Sequence, residues 1–168
     1  MLTVIILTII LSFVFWGCCY TSTGNDEKNI KAYATYPDEI QEYLRNNPKL
    51  RKQVEKANLL VSPNPVKTFL ANTIVFLVVL FLLGIVIRTN NLFTNFLRLS
   101  VIGQGLNLFD YVVIDLFWWR NTKRIRFTGT ENNPERYRNP RKHTISFVKG
   151  IIMFLIIALV DGILLTLL

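Results

Sequence analysis

An all-α, polytopic membrane protein with four transmembrane helices is the fold class this sequence predicts, and three observations lead there. First, four apolar stretches, Met1 to Tyr20, Val66 to Ile87, Phe96 to Trp119 and Ile145 to Leu168, have the length of about 20 residues that a 30 Å hydrocarbon core requires. Second, 51% of the 168 residues are hydrophobic and only 18% are charged, too few to cover an ordinary soluble domain. Third, the cations cluster: of 19 Lys and Arg residues, eight fall from Lys28 to Lys67, two at Arg88 and Arg98, and nine from Arg120 to Lys149. These runs lack the alternation of barrel strands, and backbone groups in lipid are otherwise satisfied only within helices, so one four-helix membrane domain spanning 1–168 is expected.

The cation distribution also sets the expected topology. The positive-inside rule places the loops 21–65 and 120–144 in the cytoplasm and both termini outside, in a multi-pass protein of a cell (plasma) membrane. The net charge of +8 is then accounted for by topology and by anionic lipid headgroups rather than nucleic acid. Lys123, Arg124, Arg126, Arg141 and Lys142 are the expected headgroup contacts.

The first span reads as a retained helix. Met1 to Ile10 has no Lys or Arg, and Phe15-Trp16-Gly17-Cys18 departs from a lipoprotein cleavage box because Trp16 is bulky where a small residue belongs. Cys18 and Cys19 are adjacent, ill suited to a structural disulfide, and at a cytoplasmic helix end are expected as free thiols.

After it, the 45-residue segment 21–65 is too long and too periodic to be a plain connection. Pro37-Asp38-Glu39 predicts a helix start, with Ile40, Tyr43 and Leu44 on one face. Asn47-Pro48 restarts the pattern. Leu50, Val54, Ala57 and Val61 then oppose Arg51, Lys52, Glu55 and Lys56, the arrangement of an interfacial amphipathic helix, and Ser62-Pro63-Asn64-Pro65 ends it.

The short link Arg88 to Asn95 makes the second and third spans antiparallel neighbours. In the third, Gly103 and Gly105 are expected to admit a close helix, and Trp118 and Trp119 to form an aromatic belt at the interface. The loop that follows is basic, with Ile125 and Phe127 alternating toward a turn at Thr128-Gly129-Thr130 and with Pro134 and Pro140 as punctuation.

Acids inside a span are the strongest functional clue, because each costs about 2.5–3.5 kcal/mol at the bilayer centre and so faces a cavity, a bundle interior or a partner. Asp110 shares an α-helical face with Gly103, Asn107 and Ile114. Asp115 is about 140° further round and about 7.5 Å nearer the cytoplasm, so α-helical geometry separates the two acids. Arg120 or Lys123 is the expected partner of Asp115. Asp161, in the fourth span, is expected to hydrogen-bond Gln104 as an interhelical clasp. Glu131 and His143, both assigned to the second loop, complete a candidate set with Asp110 and Asp115 for acid–base chemistry or for a divalent metal, although no local metal spacing is present.

The pattern Asn107-x2-Asp110-x4-Asp115-x2-Trp118, then Gly129-Thr130-Glu131, Tyr137 and His143, resembles a group of small uncharacterised bacterial membrane proteins with no established activity, some labelled transporter permeases. The resemblance covers roughly Asn107 to Gly150 and implies that these residues form one site where the third span meets the cytoplasm. Asn132 stands where that pattern has a second acid, and Arg120-Asn121 replaces a more metal-friendly pair.

Three functions are compatible with these features. An accessory or small-ligand and lipid-binding module, joined to the bilayer and to a membrane-protein partner or a second copy, ranks first. An intramembrane enzyme acting on a lipid or lipid-linked phosphate through Asp110, Asp115, Glu131 and His143 is the alternative. A small carrier or proton relay using Asp110 and Asp161 comes third, since four spans without a repeat make a small transporter.

Overall fold

The computed structural model describes residues 1–57 and 64–168, and among these the regular structure is entirely helical. Four helices are long and apolar enough to cross a membrane, as expected of a multi-pass membrane protein. In chain order the elements are α1 (Leu2–Thr21), α2 (Asp26–Asn29), a 3-10 segment (Ile30–Thr35), α3 (Asp38–Asn46), α4 (Pro48–Lys56), α5 (Pro65–Ile87) and α6 (Leu92–Phe109). Helix α6 continues as a π-helix (Asp110–Trp119), and a 3-10 turn (Pro134–Tyr137) precedes α7 (Arg141–Leu167).

Asparagine caps set most of the helix starts. The Asn47 side chain accepts from the Lys49 and Leu50 amides, Asn64 from Val66 and Lys67, and Asn91 from Thr94. Each thereby satisfies donors that a helix N-terminus leaves free, and proline follows Asn47 and Asn64 at the first helical position. At the other end of α5, Arg98 reaches back to donate to the Ile87 carbonyl. An arginine inside a span is thus spent on a helix C-terminus, where unpaired carbonyls favour a cation.

Two apolar cores result. The first lies in the bundle, where α6 and α7 pack closely and Leu80, Leu99, Ile102, Leu106 and Ile157 are buried. Small residues permit the approach: a Cβ on Gly103 would meet the Phe154 ring at 2.7 Å, and one on Gly105 would meet Thr8 at 2.6 Å. Both glycines therefore serve packing, as expected. The outward faces of α1 and α5 carry exposed Ile, Leu and Val, the composition of lipid-facing surface.

The second core lies at the end of the bundle where α1 finishes and α7 begins, and it forms a cap. Tyr36, Ile40, Leu44 and Val54 are fully buried there together with Ile125 and Phe127. Helices α3 and α4 start where the sequence predicts, yet their apolar faces close on this protein core and are not presented to lipid. Ala57 is exposed just past α4, and Val61, Ser62 and Pro63 lie outside the described residues. Trp119 also belongs to the cap core, 7% exposed, which removes it from the expected aromatic belt.

Two span boundaries move. Helix α6 begins at Leu92, one turn before Phe96, because Asn91 caps it. Helix α7 begins at Arg141, not Ile145, with the Asn139 side chain accepting from the Arg141 amide. His143 therefore sits on a helix rather than in a loop.

Substituting Gly103 with leucine should destabilise the bundle by about 1–3 kcal/mol through overpacking against Phe154. Gly17→Leu should be neutral, since no atom lies within 4 Å of a Cβ there. Thermal unfolding of both variants in detergent checks the contrast.

Candidate functional site

The site begins where the third span changes its winding. From Asp110 to Trp119 the helix adopts π geometry, in which residue i bonds to i+5, so residues five apart rather than four apart come to neighbouring positions. Asp110 and Asp115 are five apart. Five-residue spacing on a π-helix narrows the angle between two carboxylates that α-helical geometry sets about 140° apart, and Asp115 and His143 are the ionisable groups that act on Asp110.

Asp115 is held by the other helix of the pair. Its Oδ1 accepts from His143 Nδ1 at 2.8 Å, with the two side chains 14% and 10% exposed. This partner displaces the expected Arg120 or Lys123, because His143 on α7 faces the π segment directly. The imidazole also meets the Trp119 ring edge-on, 5.8 Å between centroids. A carboxylate on Nδ1 fixes the tautomer and ring plane, the arrangement of an oriented acid–base histidine. His143 Nε2, however, is buried and has no hydrogen-bond partner among the described residues.

Below this pair a polar seam joins α6 to α7. Tyr111 and Thr144 share a hydroxyl hydrogen bond of 3.0 Å, Asn107 Nδ2 donates to the Phe147 carbonyl at 3.1 Å, and Gln104 Nε2 donates to the Ile151 carbonyl at 2.9 Å. Gly150 makes room for the Asn107 amide, which a Cβ at that position would strike. The expected clasp between Gln104 and Asp161 does not form. Gln104 is committed to backbone, and both carboxylate oxygens of Asp161, which is fully buried, lack a partner among the described residues.

The remaining motif residues build the cap. Gly129 has φ of +90°, which favours glycine, and its amide donates to the Glu131 carboxylate at 2.8 Å. Thr130 Oγ1 lies 2.5 Å from the Tyr137 hydroxyl, which in turn accepts from the Phe127 amide at 3.0 Å. Burial pushes the Tyr137 hydroxyl above its ordinary pKa, against its hydrogen bonds with Thr130 and Phe127, and burial likewise raises that of Tyr36. Both stay neutral and serve as hydrogen-bonding pegs. Tyr36 donates to the Ile125 carbonyl at 3.0 Å and Tyr43 to the Thr128 carbonyl at 2.9 Å, stitching the two long loops together.

Several expected headgroup cations are used in the same stitching. Arg124 donates to the Tyr20 and Thr23 carbonyls at 3.1 and 2.9 Å while its guanidinium lies 3.9 Å from the Tyr20 ring centroid. Arg126 donates to the Glu131 carbonyl. Lys142 bonds Asp38 at 2.7 Å and the Tyr36 carbonyl at 2.8 Å, and its hydrogen bond and charge hold the Asp38 carboxyl below the usual range. Lys123 and Arg141 are exposed.

Glu131 thus stands in the cap turn, apart from Asp110, Asp115 and His143. No group of three or more His, Cys, Asp or Glu side chains among the described residues is placed to hold a metal ion. The four-residue metal set fails for a physical reason: the Glu131 carboxylate closes its own turn. Cys18 and Cys19 are free thiols, with Cys19 near Asp110 and Asp115.

A cavity of about 590 Å³ is bordered by Asp110, Asn107 and His143. Exposed residues of two helices form its sides, Thr68 and Asn72 from α5 and Ser146 and Lys149 from α7, so it opens between them. Phe69, Phe76, Leu106, Met153 and Phe154 make an apolar interior, and Ala34 and Thr35 border it from the cap. Asn72, Ser146 and Lys149 escaped the sequence reading. Polar residues three apart at the start of an apolar α7, and one asparagine within α5, were the signal available.

No family model, no curated protein and no solved structure matches this chain.

Replacing Tyr137 with phenylalanine should leave the buried Phe127 amide unpaired and weaken the cap by about 1–3 kcal/mol. Faster proteolysis within 120–140, with the bundle's melting unchanged, is the expected readout. Because His143 is the only histidine, 15N-histidine labelling reads it alone. Its spectrum should show the proton on Nδ1, with a resonance that shifts on Asp115→Asn; an unprotonated Nδ1 would contradict the pairing.

Proposed function

We propose that this protein is a bacterial inner-membrane module that holds a lipid-like amphiphile in the cavity between α5 and α7, with the cap on the cytoplasmic side and both termini outside. The observation that carries this reading is the cavity itself, polar near the cap and apolar toward the bundle interior. Sites for small ligands are concave and largely apolar with a few oriented polar groups. A gap between two lipid-exposed helices admits a membrane-dissolved molecule without passage through water.

Cap placement follows from charge. The two segments that form it carry most of the Lys and Arg residues, and basic loops are retained in the cytoplasm. In this reading α3 and α4 lie along the membrane interface with Arg51, Lys52 and Glu55 toward water and headgroups, while Lys123 and Arg141 attract anionic lipid. The Asn-Asp-Asp-Trp and Gly-Thr-Glu pattern supports grouping the chain with the small bacterial membrane proteins it resembles. A membrane-protein partner or a second copy would meet the exposed apolar faces of α1 and α5.

The enzymatic alternative draws support from the Asp115–His143 hydrogen bond alone. Against it, His143 Nε2 is enclosed by protein, whereas a general base must come within hydrogen-bond reach of the proton it takes. Binding is therefore favoured over turnover.

Ser146→Trp and Asn72→Trp place bulk on exposed lining positions, where folding is least disturbed. Lipid retained through purification in a mild detergent, measured by native mass spectrometry, should fall about tenfold in each variant. Retention equal to that of the unmodified protein would refute the cavity as the binding site.

A further inference from the structure

The charges that border the cavity constrain what it holds. Four ionisable groups line it: Asp110, Lys142, His143 and Lys149. Two are already committed within the protein, Lys142 to Asp38 and the Tyr36 carbonyl, and His143 to Asp115. Asp110 and Lys149 make no ion pair with each other or with any other group among the described residues. The cavity therefore presents one carboxyl group and one ammonium group that have no ion-pair partner among the described residues.

Their positions are close in depth. Gly150, next to Lys149, packs on Asn107, and Asn107 lies three residues before Asp110. Both lie on the cap side of that contact, Lys149 by one residue and Asp110 by three, so they differ in depth by about 3 Å. Besides Lys149 the lining supplies neutral hydrogen-bonding groups, Ser146 one turn before it on α7 and Thr68 and Asn72 on α5, a set suited to the several acceptor oxygens of a phosphate. Phe76, Met153 and Phe154 continue from there as apolar wall, in line with an acyl chain.

We propose that the ligand is a zwitterionic aminophospholipid, its ammonium group on Asp110 and its phosphate on Lys149. This rests on the amphiphile-binding reading above and narrows it to one headgroup chemistry. A purely anionic headgroup leaves the Asp110 carboxylate facing a like charge, and such juxtaposition is how sites reject a wrong partner. A soluble phosphorylated amine carries the same head but cannot use the apolar wall.

The test uses full-length protein in a nonionic detergent, with native mass spectrometry measuring binding of phosphatidylethanolamine, phosphatidylglycerol and phosphatidic acid of matched chains. Expected is about a tenfold preference for phosphatidylethanolamine, lost in Asp110→Asn, retained in Asp110→Glu, and weaker binding of all three lipids in Lys149→Met. Equal affinity for the three lipids in the unmodified protein, or a preference unchanged in Asp110→Asn, overturns the headgroup assignment while leaving the cavity's lipid binding intact. Competition by soluble O-phosphoethanolamine at the concentration effective for the lipid overturns the membrane source; its failure to compete is expected. If none of the three lipids binds, and Ser146→Trp changes nothing, the underlying amphiphile reading falls too. Melting temperature and elution volume in the same detergent confirm that each variant is folded.

Discussion

The change from α to π winding at Asp110 governs the geometry of everything near the site. A ten-residue π segment realigns each side chain after Phe109, so that Asp115 meets α7 and Trp119 turns into the cap. Long π runs are rare, and the short ones known often mark functional positions. Here the altered winding is held from outside. His143 binds Asp115, Tyr111 binds Thr144, and Trp119 is packed by Tyr36 at 5.3 Å between centroids. Straightening the segment to α geometry would withdraw Asp115 from the imidazole and Trp119 from the cap core together. Site and cap therefore share the π segment as a common element.

The cap solves a problem that any folded loop at a membrane surface faces, because its backbone carbonyls need partners once an apolar core covers them. Tyrosine hydroxyls supply two of them, from Tyr36 and Tyr43. Tyr36, Tyr43 and Tyr137 each carry an aromatic ring into or against the core and a hydroxyl onto backbone groups of 125–130. Basic side chains supply others, and Arg124 ties the end of α1 to the second loop through the Tyr20 and Thr23 carbonyls. Positive charge that topology alone would account for thus has a second, structural use. The cap core contains residues of both loops.

The four spans were legible because length and hydropathy are local properties of the chain, and α3 and α4 were legible from Pro37 and from Asn47-Pro48. What escaped the sequence depended on winding and on long-range partners. The 140° separation of Asp110 from Asp115 assumed α geometry throughout, and nothing in Asp110 to Trp119 signals the wider turn. His143 was read as a loop residue because Arg141 and Lys142 interrupt the hydropathy, although Asn139-Pro140 marks a helix start. Glu131 was grouped with the acids by proximity in the motif, whereas its carboxylate serves the Gly129 amide two residues away. The apolar stripe of α3 and α4 was assigned to lipid for want of any visible partner; its partners, Ile125 and Phe127, are about 80 residues further on.

The three acids within the spans are accommodated in three different ways, and the differences bear on function. Asp115 has a local partner in the His143 imidazole, 2.8 Å from its Oδ1. Asp161 is enclosed with neither oxygen bonded among the described residues, and nothing in the surrounding packing explains its carboxylate. Asp110 alone combines a position inside a span with access to a cavity and the lack of an ion-pair partner among the described residues. A structural acid would be expected to close on a neighbour, as Asp38 and Asp115 do, and Lys149 stands within about a turn's depth to serve. Asp110 and Lys149 border the same cavity without pairing, as the proposed binding of an external group requires.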